Sequence, residues 1–186
     1  MKVADLLLRR QELLSTKPMS VSGAQWCAQM TEVADTAVKL VLTDVSREFP
    51  EVEPPTVVAT GGYGRRELAP FSDLDLIIFP ALESESTSEA YLKVLHRRIH
   101  ETVQDTLGLK IAYSLSLVND LGAMDSVSRT SFLDARMLFG NLKTFEAAQE
   151  MCWSGFPTVD FILAKIAERR REMSNSNSTP LAIQID

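Results

Sequence analysis

The chain has 186 residues, of which 45% are apolar and 24% charged, enough for one sizeable core and a helical appendage. A formal net charge of −6 excludes a general nucleic-acid binder, which needs a basic face for phosphates. No apolar run reaches membrane-spanning length, and the start, MKVADLLLRRQELL, has acidic residues and no cleavage-like site, so a cytoplasmic protein without membrane contact is expected. Cys27 and Cys152 are then expected to be reduced packing residues.

Residues 1–50 read as a helical segment. Val3, Leu6, Leu7, Leu13 and Leu14 make a short apolar stripe interrupted by Pro18. A longer helix is expected from about Ala24 to Arg47, capped by Ser20 or Ser22, with Met30, Val33, Val38, Val41 and Leu42 facing the core. The segment 48–55 carries three prolines and reads as a rigid connector.

A core follows over residues 51–141. Thr56 to Thr60 is short and β-branched, a buried strand that ends at Gly61-Gly62. Adjacent glycines let backbone N–H groups approach a ligand closely, as phosphate-cradling turns require, and Gly64 adds a third permissive position. After Gly61-Gly62 come ten residues, Tyr63 to Ser72, and then Asp73-Leu74-Asp75 opens a second apolar run, Leu76 to Phe79. On a strand, alternate residues share a face, so Asp73 and Asp75 point one way while Leu74 and Leu76 pack inward. Two such carboxylates suit a hard cation such as Mg²⁺, which fills its other positions with waters and substrate phosphates. Arg65, Arg66 and Ser72 lie between glycines and carboxylates and can supply donors to a triphosphate. The combination describes metal-assisted phosphoryl or nucleotidyl transfer.

Residues 83–89 read as a solvated loop or helix start. Leu92, Leu95, Ile99, Val103 and Leu107 mark an amphipathic helix over Ala90 to Leu107, ended by Gly108. His96 and His100 have a spacing that can share a metal, but no third ligand stands near in sequence, and Arg97 and Arg98 point to a wet face. LKIAYSLSLV, residues 109–118, alternates as a third strand with Lys110, Ala112, Ser114 and Ser116 outward, so it carries no third acid; Asp120, Asp125 and Asp134 are the remaining candidates. Ser131 to Phe139 reads as a helix aiming Arg136 at an acid or a phosphate. A C-terminal extension, residues 142–186, should hold two helices between Leu142 and Met173 broken near Gly155 and Pro157, then a low-complexity loop from Ser174 to Thr179 and the beginning of a strand, LAIQID.

The string GGYGRRELAPFSDLDLIIF resembles the signature of the polymerase-β-like nucleotidyltransferase superfamily, and more specifically the nucleotidyltransferase domain of bacterial PII-protein uridylyltransferases. In that family Arg66 is often glycine. The resemblance covers about residues 57–171: GLKIAYSLS matches at Gly108, Leu109, Lys110 and Ser114 and departs at Ala112, Tyr113 and Ser116, and Asp125, Thr130, Arg136, Leu138 and Gly140 match further on. It implies an α/β (α+β) fold, a small mixed sheet flanked by helices. It also implies transfer of a nucleoside monophosphate, UMP from UTP, to a hydroxyl of a regulatory protein such as PII. Asp73 and Asp75 would hold Mg²⁺; Gly61, Gly62, Gly64, Arg65, Arg66 and Ser72 would bind the nucleotide. The resembled family continues with phosphohydrolase and glutamine-sensing domains, so nucleotide removal and glutamine sensing are expected to lie outside this chain. Two alternatives remain: adenylyl transfer to another acceptor, and a degenerate, non-catalytic nucleotide-binding or regulatory module, which the absent third carboxylate motivates. A purely structural domain would respond to neither metal nor nucleotide.

Overall fold

A computed structural model describes residues 2–15, 21–81 and 85–176. Its sheet is built from β1 (Thr56–Ala59), β2 (Leu74–Phe79), β3 (Ile111–Leu115) and β4 (Arg136–Phe139), in the order β3-β2-β1-β4. β1 runs antiparallel to both β2 and β4, while β2 and β3 are parallel, joined through a helical crossover. The expected small mixed sheet with flanking helices is the observed architecture.

The N-terminal segment folds as α1 (Val3–Ser15) and α2 (Gly23–Glu48). Ser22 starts α2 with a reciprocal cap: its Oγ accepts from the Gln25 N–H at 3.2 Å, and Gln25 Oε1 accepts from the Ser22 N–H at 3.1 Å. Such a cap contributes about 1 kcal/mol. Pro18 and the alternative cap Ser20 lie outside the described residues. The Trp26 indole donates to the Leu13 carbonyl at 2.9 Å and ties the two helices together. Met30, Val33, Ala37, Val41 and Val45 form the buried stripe of α2, at the spacing expected of one helix face.

That stripe packs with Tyr91, Leu95 and Ile99 of α4 (Glu85–Ile99) against Val57, Ala59, Leu74, Leu76, Ile78 and Leu138 of the sheet. A wider π-helical turn, His100–Thr106, continues α4 and buries Val103. Of the expected loop or helix start at 83–89, residues 85–89 open α4 and 83–84 lie outside the described residues. The opposite face of β2 carries Asp75, Ile77 and Phe79, by the period of two. Beyond β3 come a 3₁₀ segment, Val118–Ala123, and α5 (Ser126–Phe132), which bury Leu121 and Phe132.

Two expectations are corrected. Ser131 to Phe139 is not one helix: α5 ends at Phe132, and Arg136–Phe139 pairs with β1 as β4. Asn141 secures this strand, its N–H donating to Thr56 Oγ1 at 3.0 Å. The presumed loop from Ser174 is helical through Ser176, since α7 spans Thr158–Ser176. LAIQID and the rest of 177–186 lie outside the described residues.

The chain divides into two compact units, residues 1–152 and 153–186. The first holds the sheet and most of α6 (Leu142–Trp153). In the second, Phe156 stacks edge-on against Trp153 and Phe161, with ring centres 5.3 and 5.0 Å apart.

Candidate functional site

β1 leads straight into a single helical turn, α3 (Gly61–Gly64). Gly61 has φ of +58°, and a methyl group there would sit 3.2 Å from Asp75 Oδ2. Glycine therefore serves both the backbone and the carboxylate: a side chain would be strained and would press on Asp75. The main chains are joined as well, the Thr60 N–H donating to the Asp75 carbonyl at 3.0 Å. The N–H groups of Gly61 and Gly62 open the turn, where a helix has no internal acceptor to offer them.

Asp75 is the exposed residue between buried Leu74 and Leu76, and Asp73 stands just ahead of the strand. Partial desolvation, with the nearby charge of Asp73 second, raises the Asp75 carboxyl above its ordinary range. Like charges held together in this way are relieved by a cation. Asp75 looks into an open cleft of about 390 Å³ whose wall includes Thr60, Ala112, Ser114, Ser128 and Ser131. In the sheet register Asp75 lies beside Ala112 and Ile77 beside Ser114, so β3 presents a methyl and a hydroxyl there and no acid.

The other candidates have distinct placements. Gly64 approaches another part of the backbone, since a methyl there would lie 2.2 Å from the Asp134 carbonyl oxygen. Arg65 is committed to two carboxylates, Glu67 at 2.8 Å and Asp134 at 2.7 Å, and braces the loop. Arg66 is exposed and has φ of +63°, a left-handed conformation unusual for a non-glycine residue. Ser72 is exposed, its N–H donating to the Ala69 carbonyl at 3.1 Å. Asp125 caps α5, accepting from the Ser128 N–H at 2.7 Å, while Asp120 is exposed in the 3₁₀ segment.

Arg136 makes an ion pair: it donates to both oxygens of Asp35 on α2, at 2.7 and 3.0 Å, and to the carbonyls of Tyr63 and Gly64 at 3.2 Å each. It thus holds the glycine turn from below. Arg129, which sequence reasoning did not single out, is buried and donates to the carbonyls of Gly122, Met124 and Cys152, fixing α5 beside the cleft. Ser128 and Ser131 were also missed, because their arrival at Asp75 depends on where α5 docks. Cys152 is buried, which pushes its thiol up and suits a packing role.

A mixed four-stranded sheet with a glycine turn set against a paired-carboxylate strand is the layout of a nucleotidyltransferase-like core. The curated homologues of this chain are bifunctional uridylyltransferase/uridylyl-removing enzymes. The enzyme of Cupriavidus metallidurans is 36% identical over 131 residues, 69% of this chain and 15% of that protein. That of Cupriavidus pinatubonensis is 32% identical over 151 residues, 80% of this chain and 17% of the relative. That of Burkholderia orbicola is 27% identical over 188 aligned residues, 97% of this chain and 21% of the relative. The chain therefore spans about a fifth or less of the length of these relatives. No protein-family model matches it. Among solved structures, one described as a toxin-antitoxin with AMP-PNP aligns at a TM-score of 0.38 and 12% identity, over 76% of this chain and 96% of that one, too slight a likeness to assign a function.

Proposed function

We propose that this chain is a metal-dependent nucleotidyltransferase domain that moves UMP from UTP to a hydroxyl group of a regulatory protein, in the cytoplasm and in the service of nitrogen regulation. The observation that carries the reading is the close fit of Gly61 to Asp75, which puts the opening of the glycine turn beside the exposed carboxylate at one cleft. The uridylyltransferase names of the homologues support the choice of UTP and of a protein acceptor, such as PII.

Asp73 and Asp75 would hold Mg²⁺, which neutralises charge on phosphate oxygens when bound. The first N–H groups of the glycine turn face phosphate, with Arg66 and Ser72 as further donors from the loop. Arg65 keeps the loop in place through Asp134 and Glu67. The hydroxyls of Ser114, Ser128 and Ser131 line the space left for the remainder of the nucleotide or the acceptor. In the transfer, the acceptor oxygen bonds to the α-phosphorus, the bond to the pyrophosphate oxygen breaks, pyrophosphate leaves, and the hydroxyl proton passes to solvent.

A second reading, nucleotide binding without turnover, draws support from Ala112, which stands beside Asp75 where a third acid would complete the cluster. The test is thermal unfolding with Mg²⁺ and UTP, ATP, CTP or GTP, next to an Asp73→Asn, Asp75→Asn variant. A ligand that binds only the folded state stabilises it by about 2.7 kcal/mol at a hundredfold excess over Kd. A Mg²⁺-dependent shift with UTP, lost in the variant, supports the site; a larger shift with ATP points to adenylyl transfer; no shift with any nucleotide overturns the proposal. Incorporation of labelled UMP into the acceptor then separates transfer from binding alone.

A further inference from the structure

We propose a second metal site, distinct from the paired carboxylates, formed by His96, His100 and Tyr113 and selective for an imidazole-binding divalent ion of the Zn²⁺ class. These are the chain's two histidines, four residues apart with His96 in the last turn of α4 and His100 opening its π-helical continuation, and a tyrosine brought in from β3. The sequence offers the His-x-x-x-His pair without a neighbouring third ligand; the fold supplies one. Tyr113 pairs with Leu76 in the parallel register, so its side chain lies on the helix-covered face, opposite to that of Asp75.

The three side chains converge. His96 Nδ1 and the Tyr113 hydroxyl are in direct hydrogen-bond contact. The ring centres of His96 and His100 are 4.6 Å apart, and those of His96 and His100 lie 5.7 and 6.3 Å from that of Tyr113. An ion about 2.0 Å from an imidazole nitrogen lies about 3 Å from that ring's centre, so two histidines that share it can have centres up to about 6 Å apart. A phenolic oxygen stands further from its ring centre, which gives Tyr113 a longer reach still. All three separations fall within these limits. His96 is exposed and His100 half-exposed, which leaves an entry path.

The donor set selects the ion. Two imidazoles and one phenolate oxygen suit Zn²⁺, Ni²⁺ or Cu²⁺, whereas Mg²⁺ prefers an all-oxygen shell. Binding exchanges the proton shared by His96 and Tyr113 for the metal: an oxygen–metal bond forms, the O–H bond breaks, and the proton goes to solvent. An ion there would clamp α4 to β3, one residue along the register from Asp75 and Ala112.

The experiment is Zn²⁺ titration of untagged protein without nucleotide, followed by calorimetry and by the imidazole NMR signals, which belong only to these two residues. The expected result is one equivalent bound with both imidazoles perturbed, at least tenfold weaker in His100→Gln and in Tyr113→Phe, and unchanged in Asp73→Asn, Asp75→Asn. Tyr113→Phe keeps the ring packing, and its melting temperature without metal reports any loss of folding separately. No binding, binding insensitive to His100→Gln or Tyr113→Phe, or binding lost only in the double aspartate variant overturns the proposal. The His100→Gln and Tyr113→Phe outcomes are read without nucleotide and leave the Mg²⁺–UTP reading untouched, whereas loss only in the double aspartate variant would move the ion to the paired carboxylates.

Discussion

Arg136 grips both oxygens of Asp35, 101 residues away in sequence, while its remaining donors hold the carbonyls of Tyr63 and Gly64. The two side chains are 22% and 11% exposed, so neither charge is well solvated without the other. Arg136→Met should cost about 3 kcal/mol in urea unfolding, because it leaves Asp35 buried and unpaired. The double variant with Asp35→Asn should recover part of that loss, with a coupling of about 1 kcal/mol or more. A simple sum of the two single effects would remove the pair from the account of what holds the glycine turn.

Asp75 should make the free protein less stable as pH rises. A carboxyl whose pKa is raised by folding binds more protons in the native than in the unfolded state across that interval. Stability therefore falls as pH climbs from the ordinary aspartate value through the raised one, and stays lower above it. Asp75→Asn should melt at a higher temperature than the parent at pH 7, with the difference closing below about pH 3.9. A difference that does not vary with pH would contradict this assignment.

Gly64→Ala should destabilise the chain by about 1–3 kcal/mol, since its methyl would collide with a main-chain oxygen of Asp134 that has little room to retreat. Asp134→Asn, which weakens only a half-exposed ion pair with Arg65, should cost under about 1 kcal/mol. Equal losses in the two variants would show that the salt bridge, not the close approach, matters there.

Arg66→Gly separates conformation from charge. Relief of the left-handed backbone, less the added freedom of glycine in the unfolded chain, should stabilise by about 0.5–1 kcal/mol. Weaker UTP binding in the same variant would identify the guanidinium as a phosphate donor, and unchanged binding would leave Arg66 as a loop residue alone.

Features specified by neighbours in sequence were legible in it. The Ser22 cap needs only Gln25, and the inward Leu74 and Leu76 follow from alternation. β4 was not legible, since four residues separated by only three positions from the end of a helix become a strand only where β1 offers its free edge. β3 shows the same dependence in reverse: alternation extends over 109–118, but pairing with β2 on one side supports a strand only at Ile111–Leu115. Arg136 could be read as aimed at an acid or a phosphate, and only the packing of α2 decides for Asp35. Likewise, Tyr113 meets His96 through a crossover that no local pattern encodes.

β1 is hydrogen-bonded on both flanks, and the glycine turn springs directly from its end. Its amides should be among the last to exchange with solvent deuterium, because opening them requires both neighbouring ladders to separate. β3, at the rim, can unzip without disturbing that centre. On this expectation the cleft would have one wall moored to a slow-opening strand and the other on an edge strand, so that the proposed acceptor could be admitted while the residues proposed to grip phosphate stay in place.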